Sequence, residues 1–259
     1  MRKASTRLAV LGLALLGLAL PATAVAAPQV TFKVKSIPIK KNPSSTGGPS
    51  WPGTGNILGA ATAVEAEFHI TGNEYFGSPS PLIGVTATFP TGSKVTTKGF
   101  TTCPTGTLES HEVQKCPSKS IAGPKGEANG VVSFGSTRVH EKLTVQPFFA
   151  PGGGLAFYAE GREPALIELL SKGAFTSLSP TPTLSTEVPL VVTVPEAPYG
   201  SAEYIKVDVG AAFMKGKKLV SYGTLPKKCP KGGFPVRATL KFFSGESVTV
   251  TAKPPCPKK

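Results

Sequence analysis

The sequence predicts an all-β protein, an antiparallel β-sandwich of jelly-roll-like or Ig-like kind. Three observations carry this. Glycine (29) and proline (26) are frequent while only 17% of residues are charged, a composition of many turns and little charged helix surface. Apolar residues recur with a period of two in short runs rich in β-branched side chains. Helix signals are weak: Gly106–Lys115 could make two turns with Leu108 and Val113 inward, while the helix-friendly Ala165–Leu170 is short and bounded by Pro164 and Gly173 and reads as a strand, so at most one short helix is expected, near 106–115.

The first 26 residues read as a secretory signal peptide. Arg2, Lys3 and Arg7 precede an apolar stretch from Leu8 to Leu20. Pro21 breaks that stretch, and Ala24-Val25-Ala26 supplies the small residues of a cleavage site. Thirteen apolar residues fall short of the ~20 that span a membrane, so no stable insertion is expected after cleavage. No cysteine lies near the cleavage site to take a lipid. The expected location is secreted or loosely envelope-associated. Residues 27–259 are expected to form one β-sandwich domain, with 177–186 as an alternative boundary.

Strands are expected at 30–36, 64–70, 83–89, 131–135, 138–146, 154–160, 165–170, 188–194, 204–209, 219–222, 236–243 and 247–252. Val64, Ala66, Phe68 and Ile70 alternate with Glu65, Glu67 and His69, giving a half-buried strand with one wet face. Asn129-Gly130 is the strongest hairpin-turn dipeptide in the chain. Asn42–Asn56, around the single tryptophan Trp51, reads as a surface loop. Ser177–Thr186, with two prolines, reads as a crossover.

The last hairpin spans 236–252, and its apolar faces set its register. Its apolar faces are Val236, Ala238, Leu240, Phe242 and Val248, Val250, Ala252. A two-residue turn would place the two sets on opposite faces, because side chains alternate with period two. A three-residue loop, Ser244-Gly245-Glu246, keeps them together and brings Cys256 near Cys229.

Four cysteines in an exported chain read as two disulfides. Of three connectivities, the local one is expected: Cys103–Cys116 and Cys229–Cys256. The competing reading is a metal site of Cys103, His111 and Cys116. Its spacing matches no common zinc motif, and an oxidising compartment would not keep the thiols free. No metal and no other cofactor is expected.

The formal charge is +13, unevenly spread. Residues 28–200 carry 13 Lys/Arg against 12 acids, whereas 201–259 carry 12 against 3. The candidate polymer-binding residues are Lys215, Lys217, Lys218, Lys227, Lys228 and Lys231, with Lys258 and Lys259 at the end. A solvated basic surface explains them without any ligand. The functional reading is attraction to an anionic wall polymer or acidic polysaccharide. Nucleic acid is not expected, since only Arg138, Arg162 and Arg237 follow residue 26 to read phosphates and bases in bidentate fashion.

Catalytic constellations are missing from the sequence. Asp208 is the only aspartate, which disfavours carboxylate-rich calcium sites and the usual Ser/His/Asp triad. His69, His111 and His140 form no metal-binding pair, and no Gly-x-Ser-x-Gly elbow occurs. Two glutamate pairs, Glu65 with Glu67 and Glu160 with Glu163, could in principle serve glycoside cleavage. The wet side of a strand accounts for them as well.

Cys103-Pro104, Leu108, Cys116-Pro117, Ser120-Ile121-Ala122-Gly123 and the basic Cys229…Cys256 hairpin together carry a resemblance. The chain resembles uncharacterised secreted β-sandwich proteins of soil actinobacteria with paired Cys-Pro motifs. Those proteins more often have Val-Gly or Ile-Gly where this chain has Ile121-Ala122-Gly123. The resemblance implies export and an all-β fold, and no activity. The leading expectation is therefore a secreted, non-catalytic β-sandwich that binds anionic envelope polymer through its basic C-terminal quarter. The alternatives are a secreted carbohydrate-active enzyme using a glutamate pair, and a structural module assembling through its edge strands.

Overall fold

The computed structural model describes residues 27–38, 59–215 and 217–256. The expected signal peptide, the loop around Trp51 and the terminal Lys258-Lys259 lie outside the described residues.

Alternating apolar residues form the first two long strands, β1 (Gln29–Pro38) and β2 (Ala61–Thr71), paired antiparallel with Phe32 opposite Phe68. β3 (Leu82–Thr88) and the short β4 (Lys94–Val95) follow. Then comes α1 (Thr105–Glu109), the one α-helix among the described residues, as expected near 106–115. A meander of long strands comes next: β5 (Gly126–Phe134), β6 (Thr137–Phe149), β7 (Leu155–Gly161), β8 (Ile167–Ser177) and β9 (Thr183–Glu187). β10 (Ser201–Val209) returns to lie between β5 and β2. The chain closes with the small hairpin β11 (Ala212–Lys215) and β12 (Lys218–Ser221), then β13 (Gly223–Thr224), and the final hairpin β14 (Val236–Phe242) and β15 (Ser247–Ala252).

Apart from β11 and β12, the described strands form one antiparallel sheet, ordered β15-β14-β3-β9-β8-β7-β6-β5-β10-β2-β13-β4, with β1 on the far edge of β2. The sheet curls on itself. Phe68 and Ile70 of β2 pack against Leu82 of β3 and Ala238, Leu240 and Phe242 of β14, and β1 and β15 meet at the seam through Phe32, Val248 and Val250. The two layers of the sandwich are thus halves of a continuous sheet joined through β5–β9. A second interior cluster, Phe149, Leu155, Leu184 and Tyr222, fills the end where β6 passes to β7. The outer face of β6–β8 is covered by the α1 segment: Cys103 and Leu108 pack on Phe148, Ala156 and Tyr158.

Four local expectations are corrected. Asn129-Gly130 is not a turn; it lies within β5, and the β5–β6 turn is Gly135-Ser136. Glycine is needed at 130 because a Cβ there would lie 2.4 Å from the Ser201 carbonyl oxygen, beside the bulge between Ala202 and Tyr204 of β10. Residues 188–194 form no strand: Pro189 and Pro195 remove ladder donors, and the segment instead caps one end of the interior with Val188 and Val191. Ser177–Thr186 is no crossover; residues 178–182 turn β8 directly back into β9, whose Leu184 fills the core. The last hairpin has its three-residue loop one position earlier, at Phe243-Ser244-Gly245, so that Leu240 faces Val248. Gly245 takes the left-handed conformation (φ 91°) that the third residue of such a loop requires. The shift leaves the inward faces unchanged, because two residues of register preserve the alternation.

Both disulfides have the local pairing, Cys103–Cys116 and Cys229–Cys256. The first closes the α1 segment on itself, and packing of Cys103 and Leu108 holds that segment on the sheet. The second joins the chain entering β14 to the chain leaving β15, closing the base of that hairpin.

Candidate functional site

Lys215 and Lys218 face each other across the tip of the β11–β12 hairpin, with Lys217 in the turn. The hairpin is anchored by Phe213, whose ring meets Phe100 edge-on at 5.1 Å. Lys227, Lys228 and Lys231 lie in the loop after β13, around the exposed Cys229. All six lysines are exposed. The two groups stand at opposite ends of the run from Lys218 to Leu225, which pairs first with β11 and then, past a bend at Tyr222, with β2. They are two basic spots on one extended track, not one patch.

Lys94, Lys98, Lys119, Lys125 and Lys142 are likewise exposed and without an ion pair among the described residues, whereas Lys33, Lys35, Lys115, Lys172 and Lys206 are matched by acids. On the outer face of β1, β2 and β10, Lys33 pairs with Glu67 (3.2 Å), and Lys35 (2.7 Å) and Lys206 (3.6 Å) both pair with Glu65. His69 also meets Glu67 at 2.8 Å, and His140 meets Glu203 at 3.3 Å. Hydrogen bonds from His69 and Lys33 hold the Glu67 carboxyl below the usual carboxylate range. Glu65 bonded to Lys35 pushes that ammonium up. Glu160 pairs with Arg162, Glu112 with Lys115 and Glu109 with Lys172. None of the six C-terminal lysines has an ion pair or side-chain hydrogen bond among the described residues.

The first glutamate pair proposed for sugar chemistry is therefore built into ladder ion pairs. Glu65 and Glu67 lie on a charged outer sheet face, each against a lysine, and Glu160 is tied to Arg162. Asp208 is half-buried directly opposite Glu65. Burial first, then the Glu65 charge, raises its carboxyl above the ordinary range.

His111 does not join the cysteines. Its Nδ1 lies 3.5 Å from Glu168, which also accepts a 2.5 Å hydrogen bond from the Tyr158 hydroxyl. Burial and that bond raise the Tyr158 phenol well above its usual value. The trio sits where α1 covers β7 and β8; the Tyr158–Glu168 bond joins those two strands, and His111 Nδ1 is buried beside it without a hydrogen bond. Among the described residues no group of three His, Cys, Asp or Glu is placed to hold a metal.

One residue was not singled out from the sequence. Glu141 on β6 is 1% exposed and lies on the inner face of the sheet, in register with Leu143 and Val145. Its Oε2 accepts a 3.2 Å hydrogen bond from the Ala165 N–H, and its Oε1 has no hydrogen-bond partner. The signal was present in the alternation Val139, Glu141, Leu143, Val145, which places a carboxylate on an apolar face.

Comparison with known protein families, with curated proteins and with solved structures gives no match.

Proposed function

We propose that this chain is an exported, non-catalytic binding protein held on an anionic envelope polymer, a wall polymer or acidic polysaccharide, by the lysines of its C-terminal quarter. The observation that carries the reading is the grouping of exposed, unpaired lysines in two sets of three, at the β11–β12 tip and in the loop after β13. Lysines on β1, β8 and β10 have acidic partners, whereas Lys215, Lys217, Lys218, Lys227, Lys228 and Lys231 are exposed and unpaired among the described residues. Uncompensated positive charge draws a polyanion and is screened by salt, with a Debye length of ~10 Å at 0.1 M. Two basic spots at the ends of an extended run suit a long polymer, because the second contact becomes intramolecular once the first has formed. Two disulfides fit an oxidising compartment, and no helix among the described residues is long and apolar enough to cross a membrane. An enzyme working through Glu65 and Glu67 has less support, since both carboxylates are already neutralised by lysine.

Sedimentation with isolated cell walls tests the reading. Replacing Lys215, Lys217 and Lys218 with Gln, or Lys227, Lys228 and Lys231 with Gln, is expected to weaken retention in each case. Replacing all six is expected to abolish it. Unchanged retention by the six-lysine variant would overturn the reading.

A further inference from the structure

The interior of the curled sheet is not filled. A cavity of about 310 Å³ lies between the walls. Val64, Leu143, Ala159, Leu169 and Val207 line it, and all are only half-buried although they point inward. None belongs to either packed interior cluster. The volume is about twice that of the ~150 Å³ apolar cavity known to take benzene, and at the lower edge of ordinary small-molecule sites.

Glu141 is part of the lining of this apolar space, and one oxygen of its carboxylate is buried and unsatisfied. The backbone makes room for it: a Cβ on Gly161 would lie 2.5 Å from Glu141 Oε1. An acceptor held in apolar surroundings with one backbone N–H for company costs free energy unless a donor completes it. We infer that the cavity binds a lipophilic amine, its apolar tail against Leu143, Ala159 and Leu169 and its ammonium donating to Glu141 Oε1. The carboxylate repels an anionic head, and an alcohol offers a donor without the charge, so the order of preference is amine, then alcohol, then carboxylate. This site is independent of the lysines on the surface.

The test uses the neutral fluorophore N-phenyl-1-naphthylamine on the mature protein, displaced by dodecylamine, dodecanol and dodecanoate. One probe per protein is expected, with dodecylamine displacing it at a concentration about tenfold lower than dodecanol, the factor for one added charge-assisted hydrogen bond. Glu141→Gln is expected to retain the probe and lose the amine preference. Ala159→Phe, which fills the cavity, is expected to lose the probe with an unchanged circular dichroism spectrum. The six-lysine variant is expected to behave as wild type. No probe binding to the wild type, equal displacement by amine and alcohol, or preference for dodecanoate would each overturn the proposal, and these readings need no variant to fold.

Discussion

Asp208 stands opposite Glu65 with its Oδ1 buried and without a hydrogen-bond partner. Its folded pKa is raised above the unfolded one, so ionisation disfavours the fold: the penalty is present at neutral pH and fades as pH falls below the folded value. Asp208→Asn is expected to raise thermal stability at pH 7, by at most ~1 kcal/mol because solvent screens a half-exposed group. The gain should vanish at about pH 3, where the carboxyl is protonated in both states. Melting curves at the two pH values check this; an equal gain at both would point to packing instead. The alternation around Asp208 was legible as a strand. Its unfavourable partner was not, because Glu65 is more than a hundred residues away and only the β2–β10 register joins them. Gly130 makes a related point. Asn-Gly signals a backbone that needs no Cβ, and a bulge under a crossing carbonyl meets that need as well as a turn does. Gly130→Ala is expected to destabilise by about 1–3 kcal/mol in chemical denaturation, as overpacking does.

Elements were legible where alternation was clean and flanking prolines were few. The faces of β14 and β15 follow from the period of two, and they hold despite the shift of the loop. The loop position was not legible, since Ser244-Gly245-Glu246 and Phe243-Ser244-Gly245 both preserve the faces; only the left-handed Gly245 decides. Residues 188–194 have strand composition, yet Pro189 within the segment, Pro195 directly after it and the need to close the open end of the interior make them a cap. The Cys229–Cys256 bond spans 27 residues and closes the base of the hairpin. Replacing both cysteines by Ser is expected to cost ~3 kcal/mol, the chain-entropy estimate for a loop of this order, and guanidinium denaturation would measure it. A loss well under 1 kcal/mol would mean that the packing of Phe234, Val236 and Leu240 alone fixes this end.

At the scale of the molecule, hydrophobic periodicity reveals which side of each strand is wet but not which strands meet. The pairings β3–β9, β3–β14 and β5–β10 join segments far apart in sequence, so closure of the sheet was visible only as a fold class. The cavity follows from closure and was hidden for the same reason. Charge distribution was legible from composition alone; which lysines are paired was not, since Lys33 and Lys35 look no different in sequence from Lys227 and Lys228. The two groups of exposed, unpaired lysines are the centre of the account, and retention on isolated cell walls across a salt series tests their role most directly. The wild type should be retained at low salt and released as ionic strength approaches ~1 M, where the Debye length shrinks to ~3 Å. The variant with all six lysines replaced by Gln should stay in solution throughout. Salt-independent retention, or equal retention of the two proteins, would contradict the account.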